Sequence, residues 1–389
     1  MFSTSTTQPN HQPTLAPAAD DHESATTKLP TLRVADDLNA KYLRLLKRNR
    51  QNWTMHYRLV KLLGSGGQGV VYLAEQRGSD AFTIPVALKM FDPGRHRDAR
   101  TYEEAMRHVA AVSARVALIN QDNLLDVHHF MDPERIRMMV MEWIDGFDLR
   151  RLLTLRTLEP LRAWVTVRRW EYINNVLLTA GPEQTRFKPG PAVAIVRQCL
   201  AALAALHREG IVHGDIKPSN LMLKRTGAAK IIDIGSAFDY RQPPLTRNIT
   251  PLYAAPEALQ NEEMTPRSDL ASLGYMLIEM LSGRQLFNGL QPYEDLLAAK
   301  LQLPRRLHEL LPRDVTRNEL LMSFCRRLIA PDPMQRFPDA DAAVLRKEGA
   351  AAFLRQLVRG DMSSEFEEEV RQLMEELKQL DDFRQRGTG

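Results

Sequence analysis

The hydrophobic positions of this chain change rhythm along its length. From Leu32 to Arg50, Leu38, Tyr42 and Leu45 fall at helical spacing among Lys41, Arg44, Lys47, Arg48 and Arg50, which predicts a short basic helix. Residues 57–89 read as strand, turn, strand, turn, strand. Tyr57, Leu59 and Lys61-Leu62-Leu63 precede a glycine-dense turn, Val70-Val71-Tyr72-Leu73 follows it, and Ile84-Pro85-Val86-Ala87-Leu88-Lys89 is the next apolar run. A helix is predicted over 98–118 and a buried strand over Met138–Trp143. Beyond Pro191, Val193, Val196, Leu200 and Leu203 repeat with helical periodicity. The pattern is that of an α+β chain, with a β-rich first part and a larger, mostly helical second part.

Four segments stand outside this frame. Residues 1–30 are rich in Ser, Thr, Pro, Gln and Asn, too poor in apolar surface to offset ordering entropy, and read as a disordered tail. Residues 31–56 hold the basic helix and a linker. Between 151 and 190 lie Trp164, Trp170 and a cluster of arginines. This segment reads as a partner-binding insertion or as a small helical hairpin that buries its own tryptophans. The tail 346–389 is acidic from Asp361, and Phe366, Val370, Leu373, Leu377 and Leu380 alternate by four and three. That seam suits an amphipathic helix docked on its own chain, or self-association through a short heptad contact. The opposite charges suggest that this tail docks on Lys41–Arg50 or on the arginine-rich insertion.

Composition narrows the classes. With 389 residues there is ample length for a large core. Lys+Arg 52 against Asp+Glu 48 is too mild an excess to imply nucleic acid. Two cysteines, Cys199 and Cys325, exclude a disulfide framework and a zinc cluster. No run of 18 uncharged apolar residues suggests a membrane span, and the N-terminus lacks a secretory pattern. The expectation is a cytoplasmic protein.

The chemistry begins at Gly64-Ser65-Gly66-Gly67-Gln68-Gly69. Glycines let backbone N–H groups approach phosphate oxygens. Alone, the motif is often a hairpin turn, and here it joins two strands, unlike the Rossmann version. Lys89 ends the strand Val86-Ala87-Leu88 and matches the pattern of a phosphate-gripping lysine. His213-Gly214-Asp215-Ile216-Lys217-Pro218-Ser219-Asn220 places a carboxylate and an amide where one can face a hydroxyl and the other a metal. Asp233-Ile234-Gly235 follows the apolar pair Ile231-Ile232 and suits a second metal ligand. Thr250-Pro251-Leu252-Tyr253-Ala254-Ala255-Pro256-Glu257, Ser268-Asp269, and Arg336 in Pro333-Met334-Gln335-Arg336-Phe337 complete the set.

In this order and spacing the motifs resemble the eukaryotic-type (Hanks-type) serine/threonine protein kinase superfamily, from Tyr57 to Leu345. The resemblance implies a bilobal fold over 57–345, with a small β-rich N-lobe (57–143) and a helical C-lobe (144–345) interrupted by the 151–190 insertion. It implies ATP and Mg²⁺ as cofactors and protein Ser/Thr hydroxyls as substrates. Gly64, Gly66 and Gly69 would lie over the phosphates. Val71 and Ala87 would hold the adenine from above and Met222 from below, with Met141 as gatekeeper and Glu142, Trp143 and Ile144 as hinge. Lys89 would grip the phosphates and pair with a helix glutamate, Glu104 or its competitor Glu103. Asp215 would be the catalytic base, Lys217 would lie by the γ-phosphate, and Asn220 and Asp233 would be the metal ligands. Thr250 would touch Asp215, Asp269 would brace the catalytic loop, and Glu257 and Arg336 would form a buried ion pair. Lys217 and Thr250 argue for serine and threonine over tyrosine.

The chain departs from the pattern at Gly214, where the family usually has arginine, and at Ile234 and Ile249. The missing arginine normally gathers a phosphorylated activation-loop residue. Its replacement implies activity without that phosphorylation, so Thr246 should be dispensable where Thr250 is not. The rival readings are a pseudokinase scaffold that binds ATP, a small-molecule kinase, and an interaction hub built on the two tails. Lys89, Asp215, Asn220 and Asp233 are all present, against the first, and Ala-Pro-Glu with its paired arginine argues against the second.

Overall fold

The computed structural model describes residues 31–48, 50–52, 56–78, 80–244, 248–290, 293–359 and 366–387. The reading of 1–30 as a tail and of Thr246 as dispensable fall outside the described residues.

The first lobe is an antiparallel sheet in the order β1-β2-β3-β4-β6-β5. Its strands are β1 (Arg50–Asn52), β2 (His56–Gly66), β3 (Gly69–Arg77), β4 (Thr83–Phe91), β5 (Val127–Met131) and β6 (Met138–Glu142). β4 and β6 are apolar at nearly every position, and both of their faces are buried. Val86, Leu88, Met90, Met138 and Val140 share a cluster with Leu38, Tyr42 and Leu45 of helix α1 (Thr31–Leu46). The alternate residues Ala87, Phe91, Met139 and Met141 join the cluster of helix α2 (Ala99–Val116). The period of two along a strand forces this division. The basic helix is therefore the outer cover of the sheet rather than a linker. Asp98 starts α2 with a capping box, its side chain accepting from the Thr101 N–H.

The second lobe carries β7 (Gly146–Asp148), α3 (Leu149–Leu152), α4 (Leu155–Trp164), α5 (Val167–Tyr172), the hairpin β8 (Leu178–Ala180) and β9 (Thr185–Phe187), and α6 (Pro189–Arg208). Then come β10 (Ile211–Val212), β11 (Leu221–Lys224), β12 (Ala229–Ile231) and β13 (Phe238–Asp239). Helices α7 (Pro256–Leu259), α8 (Pro266–Ser282), α9 (Tyr293–Leu310), α10 (Arg313–Thr316), α11 (Glu319–Leu328), α12 (Ala340–Leu345), α13 (Ala350–Arg359) and α14 (Phe366–Gly387) complete it. α6 and α8 form the core. α8 starts on a capping box at Thr265 and stops at Gly283, whose φ of 66° ends it in the left-handed region. α6 is long and apolar enough to cross a membrane, and most of it is buried inside this lobe. Both cysteines are free and buried, and burial pushes both thiols up.

The 151–190 segment is helix, helix and β-hairpin, and Trp164 is exposed at 38% rather than buried within it. Its ring lies 5.3 Å from that of Phe383 on α14. α14 buries Phe366, Val370, Leu373, Met374, Leu377 and Leu380, each worth roughly 1.5–3 kcal/mol against exposure. The heptad seam is thus occupied within the chain, and self-association through it would require undocking. The charges follow suit. Arg169 Nε donates to Glu376 at 2.8 Å and its Nη1 to Glu369 at 3.1 Å. Arg151 pairs with Asp381 at 2.6 Å and Arg225 with Glu375 at 3.4 Å. The acidic tail lies on the insertion, whereas Lys41 and Arg48 of the basic segment pair with Asp37 and Glu134.

Candidate active site

A cleft of about 920 Å³ separates the lobes. Gly64, Gly66 and Gly69 line it from the β2–β3 turn, Val71 and Ala87 from the sheet, Met141, Glu142, Trp143 and Ile144 from the connection, and Met222 from β11. The Glu142 carboxylate is engaged by Lys230 and by the Asp126 N–H. Its own N–H donates in turn to the Asp126 carbonyl at 3.0 Å.

The loop after β10 builds the polar floor. Asp215 holds three partners: Oδ1 accepts from Thr250 Oγ1 at 2.6 Å, and Oδ2 from Lys217 Nζ at 2.6 Å and Asn220 Nδ2 at 3.2 Å. Lys217 Nζ also donates to Thr250 Oγ1 at 2.9 Å. The loop is braced from below by Asp269, which is almost fully buried. Asp269 accepts from the N–H groups of His213 at 2.8 Å and Gly214 at 2.9 Å and lies 2.9 Å from His207 Nε2. Burial alone would raise its pKa, but His207, His213 and the Gly214 N–H outweigh it and hold the carboxyl below the usual aspartate value. Gly214 has φ +74°, with the Ser236 carbonyl 3.2 Å from where a Cβ would stand. An arginine here would be strained, so the departure from His-Arg-Asp is built into the backbone.

Asp233 precedes a single 3₁₀ turn with φ 62°, uncommon for a residue with a side chain. Its Oδ1 accepts from Lys89 Nζ at 2.5 Å and the Gly235 N–H at 3.1 Å. Burial would raise its pKa, but the Lys89 ammonium outweighs it and the carboxyl is held low. Further down, Arg336 and Glu257 form a bidentate buried pair at 2.6 and 2.8 Å. Ser268 Oγ donates to Glu257 at 2.7 Å, and Arg336 Nε to the Ala330 carbonyl at 2.8 Å. Burial opposes the Glu257 charge, and Arg336 more than compensates, so its pKa is lowered.

One expectation is overturned. Neither Glu104 nor Glu103 reaches Lys89. Glu104 accepts from Arg100 at 2.8 Å and Glu103 pairs with Arg135. Both occupy the early turns of α2, whose buried face is Tyr102, Met106, Val109, Val112, Ser113 and Val116. Lys89 bonds instead to Asp233 and to Gln68 Oε1 at 2.6 Å.

The residues suit a nucleotide with a divalent cation. Asn220 uses its amide N–H₂ on the Asp215 carbonyl at 2.9 Å, so its amide oxygen faces no nearer donor than Ser219 Oγ at 3.5 Å. Among the described residues no hydrogen bond reaches the second oxygen of Asp233, and that side chain is 34% exposed. One carboxylate and one amide oxygen match the sparse protein share that Mg²⁺ takes when phosphates and water complete its shell.

Sequence reasoning missed Gln68, and it missed the tail. Lys378, Asp381 and Gln385 of α14 line the same cleft. Gln68 stood inside the quoted glycine turn with no signal to mark it. Nothing in the acidic pattern pointed α14 at the cleft mouth.

The protein kinase domain family matches residues 57–346, and the chain belongs to that family. It is similar to the serine/threonine-protein kinase PknD of Mycobacterium tuberculosis, 30% identical over 289 residues, covering 73% of this chain and 38% of that protein. It is also similar to Pkn1 of Myxococcus xanthus, 31% identical over 257 residues, 64% of this chain and 32% of that protein. PknA of Corynebacterium glutamicum is 28% identical over 295 residues, 74% of this chain and 55% of that protein. The chain spans about a third to a half of the length of these relatives.

Proposed function

We propose that the chain transfers the γ-phosphate of ATP to serine and threonine hydroxyls of proteins. The observation that carries this is the triangle of Asp215, Lys217 and Thr250, set on the cleft floor opposite Lys89. Nucleotide with Mg²⁺, held by Asn220 and Asp233, would supply the transferable group and its charge neutralisation. The protein's own part is positioning and electrostatics, which dominate phosphoryl transfer. Asp215 orients the acceptor hydroxyl and takes its proton. Lys217 keeps a cation beside the carboxylate, and Thr250 aims it. Lys89 brings positive charge to the phosphate end.

The loop also supports activity without activation-loop phosphorylation. Gly214 offers no guanidinium to gather a phosphate, and its backbone disfavours one. The relatives' names favour serine and threonine as acceptors.

The test is incubation of wild type and Asp215→Asn with labelled ATP, Mg²⁺ and a generic basic protein, followed by phosphoamino-acid analysis. Phosphoserine and phosphothreonine made by the wild type alone support the proposal. Mg²⁺-dependent ATP binding with no transfer would favour a pseudokinase scaffold.

A further inference from the structure

We propose that Gln68, at the tip of the glycine turn, is the positioning residue for Lys89, in the place a helix carboxylate would otherwise take. The inference rests on the kinase reading of the cleft and deepens it.

Lys89 is a strand lysine whose side chain is only 5% exposed. An ammonium that buried needs acceptors. Among the described residues it has two, Asp233 Oδ1 at 2.5 Å and Gln68 Oε1 at 2.6 Å, with the Phe91 ring centroid 5.2 Å away. The acids of α2 are Glu103 and Glu104, and both are spent on arginines at the surface. On its buried face, Ser113 donates to the Val109 carbonyl of its own helix, and the Tyr102 hydroxyl accepts from the Arg137 N–H at 2.8 Å. No side chain of α2 bonds to Lys89, whose partners are Gln68 and Asp233.

The Gln68 amide is fixed at both ends. Its Nε2 donates to Ser236 Oγ at 2.8 Å, and Lys89 can only donate, so the oxygen must face the lysine. Its own carbonyl accepts from the Asp92 N–H at 3.0 Å. The amide occupies the space over Gly235, where a Cβ would collide with Oε1. One side chain thus ties the lid, the lysine strand and the metal-side loop together.

The second acceptor has competing work. Asp233 is the carboxylate a bound cation would draw on, and its charge is then shared. At that moment Gln68 is the acceptor left to orient Lys89.

The test uses the full chain with Gln68→Ala, Gln68→Leu and Gln68→Glu. Two readouts are taken: kcat and KM for ATP on a generic basic protein, and the rate at which an acyl phosphate of ATP acylates Lys89, followed by peptide mass spectrometry. In that probe the Lys89 amine forms an amide and the nucleotide phosphate leaves. Melting temperatures equal to wild type confirm folding. The expected result is a fall on the order of 10-fold or more in kcat and in Lys89 labelling for the Ala and Leu variants, as for a lost bond to a charged group. Gln68→Glu, which keeps an acceptor at the same reach, should recover most of both. Wild-type behaviour of Gln68→Ala, or a loss that Gln68→Glu does not reverse, overturns the proposal. An inert wild type whose Lys89 labelling still depends on Gln68 would remove phosphotransfer and leave the positioning role standing.

Discussion

Thr250 Oγ1 donates to Asp215 Oδ1 at 2.6 Å across 35 residues of chain. The bond joins the loop that would orient an acceptor hydroxyl to the loop that leads into Ala254-Ala255-Pro256-Glu257. It leaves Asp215 with both oxygens engaged, one by Thr250 and one by Lys217 and Asn220. The two loops are thereby coupled through one hydroxyl.

Removing that hydroxyl should uncouple them. Thr250→Ala is expected to lower kcat by roughly 10- to 100-fold, the scale of one bond to a charged group. Thr250→Ser should keep most of the rate. Thr246→Ala should stay near wild type in the same peptide-phosphorylation assay. Equal, severe losses for both alanine variants would instead point to activation-loop phosphorylation.

The helix glutamates offer a converse prediction. Glu104 is 49% exposed and its ion pair with Arg100 is a surface i,i+4 contact, worth about 0.3–0.5 kcal/mol. Glu104→Ala is therefore expected to retain kcat and KM for ATP, whereas Lys89→Met should lose phosphotransfer. A rate collapse in Glu104→Ala would mean that α2 rotates to present that carboxylate when nucleotide binds.

The Glu257–Arg336 pair belongs to stability. Both side chains are buried, so Glu257→Ala strands a guanidinium and should cost about 3–5 kcal/mol, read by denaturant unfolding. The pair also sets an acid limit. Its carboxyl has a folded pKa below the ordinary 4.5, so the unfolded state binds the proton more readily. The stabilisation is present above pH 4.5 and is lost as pH falls through the lower folded value. Asp269 and Asp233 are shifted in the same direction and steepen the loss. A melting temperature that stayed flat from pH 6 down to about pH 3 would contradict this sign.

The tail should respond to its clamp. Arg169 is 14% exposed and bonds both Glu369 and Glu376. Arg169→Ala is expected to weaken docking of α14 by about 1.5–3 kcal/mol, seen as faster proteolytic cleavage between α13 and α14. Because Lys378, Asp381 and Gln385 line the cleft, KM for ATP should rise with it. The exposed Arg151–Asp381 contact adds a salt-dependent part. Deleting 361–389 should give kinetics that differ from wild type most at low ionic strength. Identical kinetics at low and high salt would show the tail to be a passenger.

Much of this protein was legible without coordinates. The lid, Lys89, Asp215, Asn220 and Asp233 sit in short motifs whose chemistry is local. A glycine turn between two apolar strands and an Asp-Ile-Gly after Ile231-Ile232 each narrow their own backbone to few conformations. The β-rich and helical parts followed from hydrophobic period alone. Docking of the tail on its own chain was readable in part, because opposite charge and an apolar seam suggest a contact, but they left Lys41–Arg50 and the arginine-rich segment both open.

Partner choice was another matter. Which side chain meets Lys89 depends on the phase and position of α2 against the sheet, and a shift of one residue turns a helical side chain by about 100°. The motif spacing left two glutamates open, and packing of Tyr102, Met106 and Val109 turned both outward. Trp164 was expected inside its own hairpin but meets Phe383 more than 200 positions away. The same holds for Gln68 and Ser236, set 168 positions apart. Composition, period and motif determined the elements and the reactive groups, since those depend on neighbours in sequence. Only the folded arrangement decided which distant groups share a hydrogen bond, since that depends on the direction in which each buried face is turned.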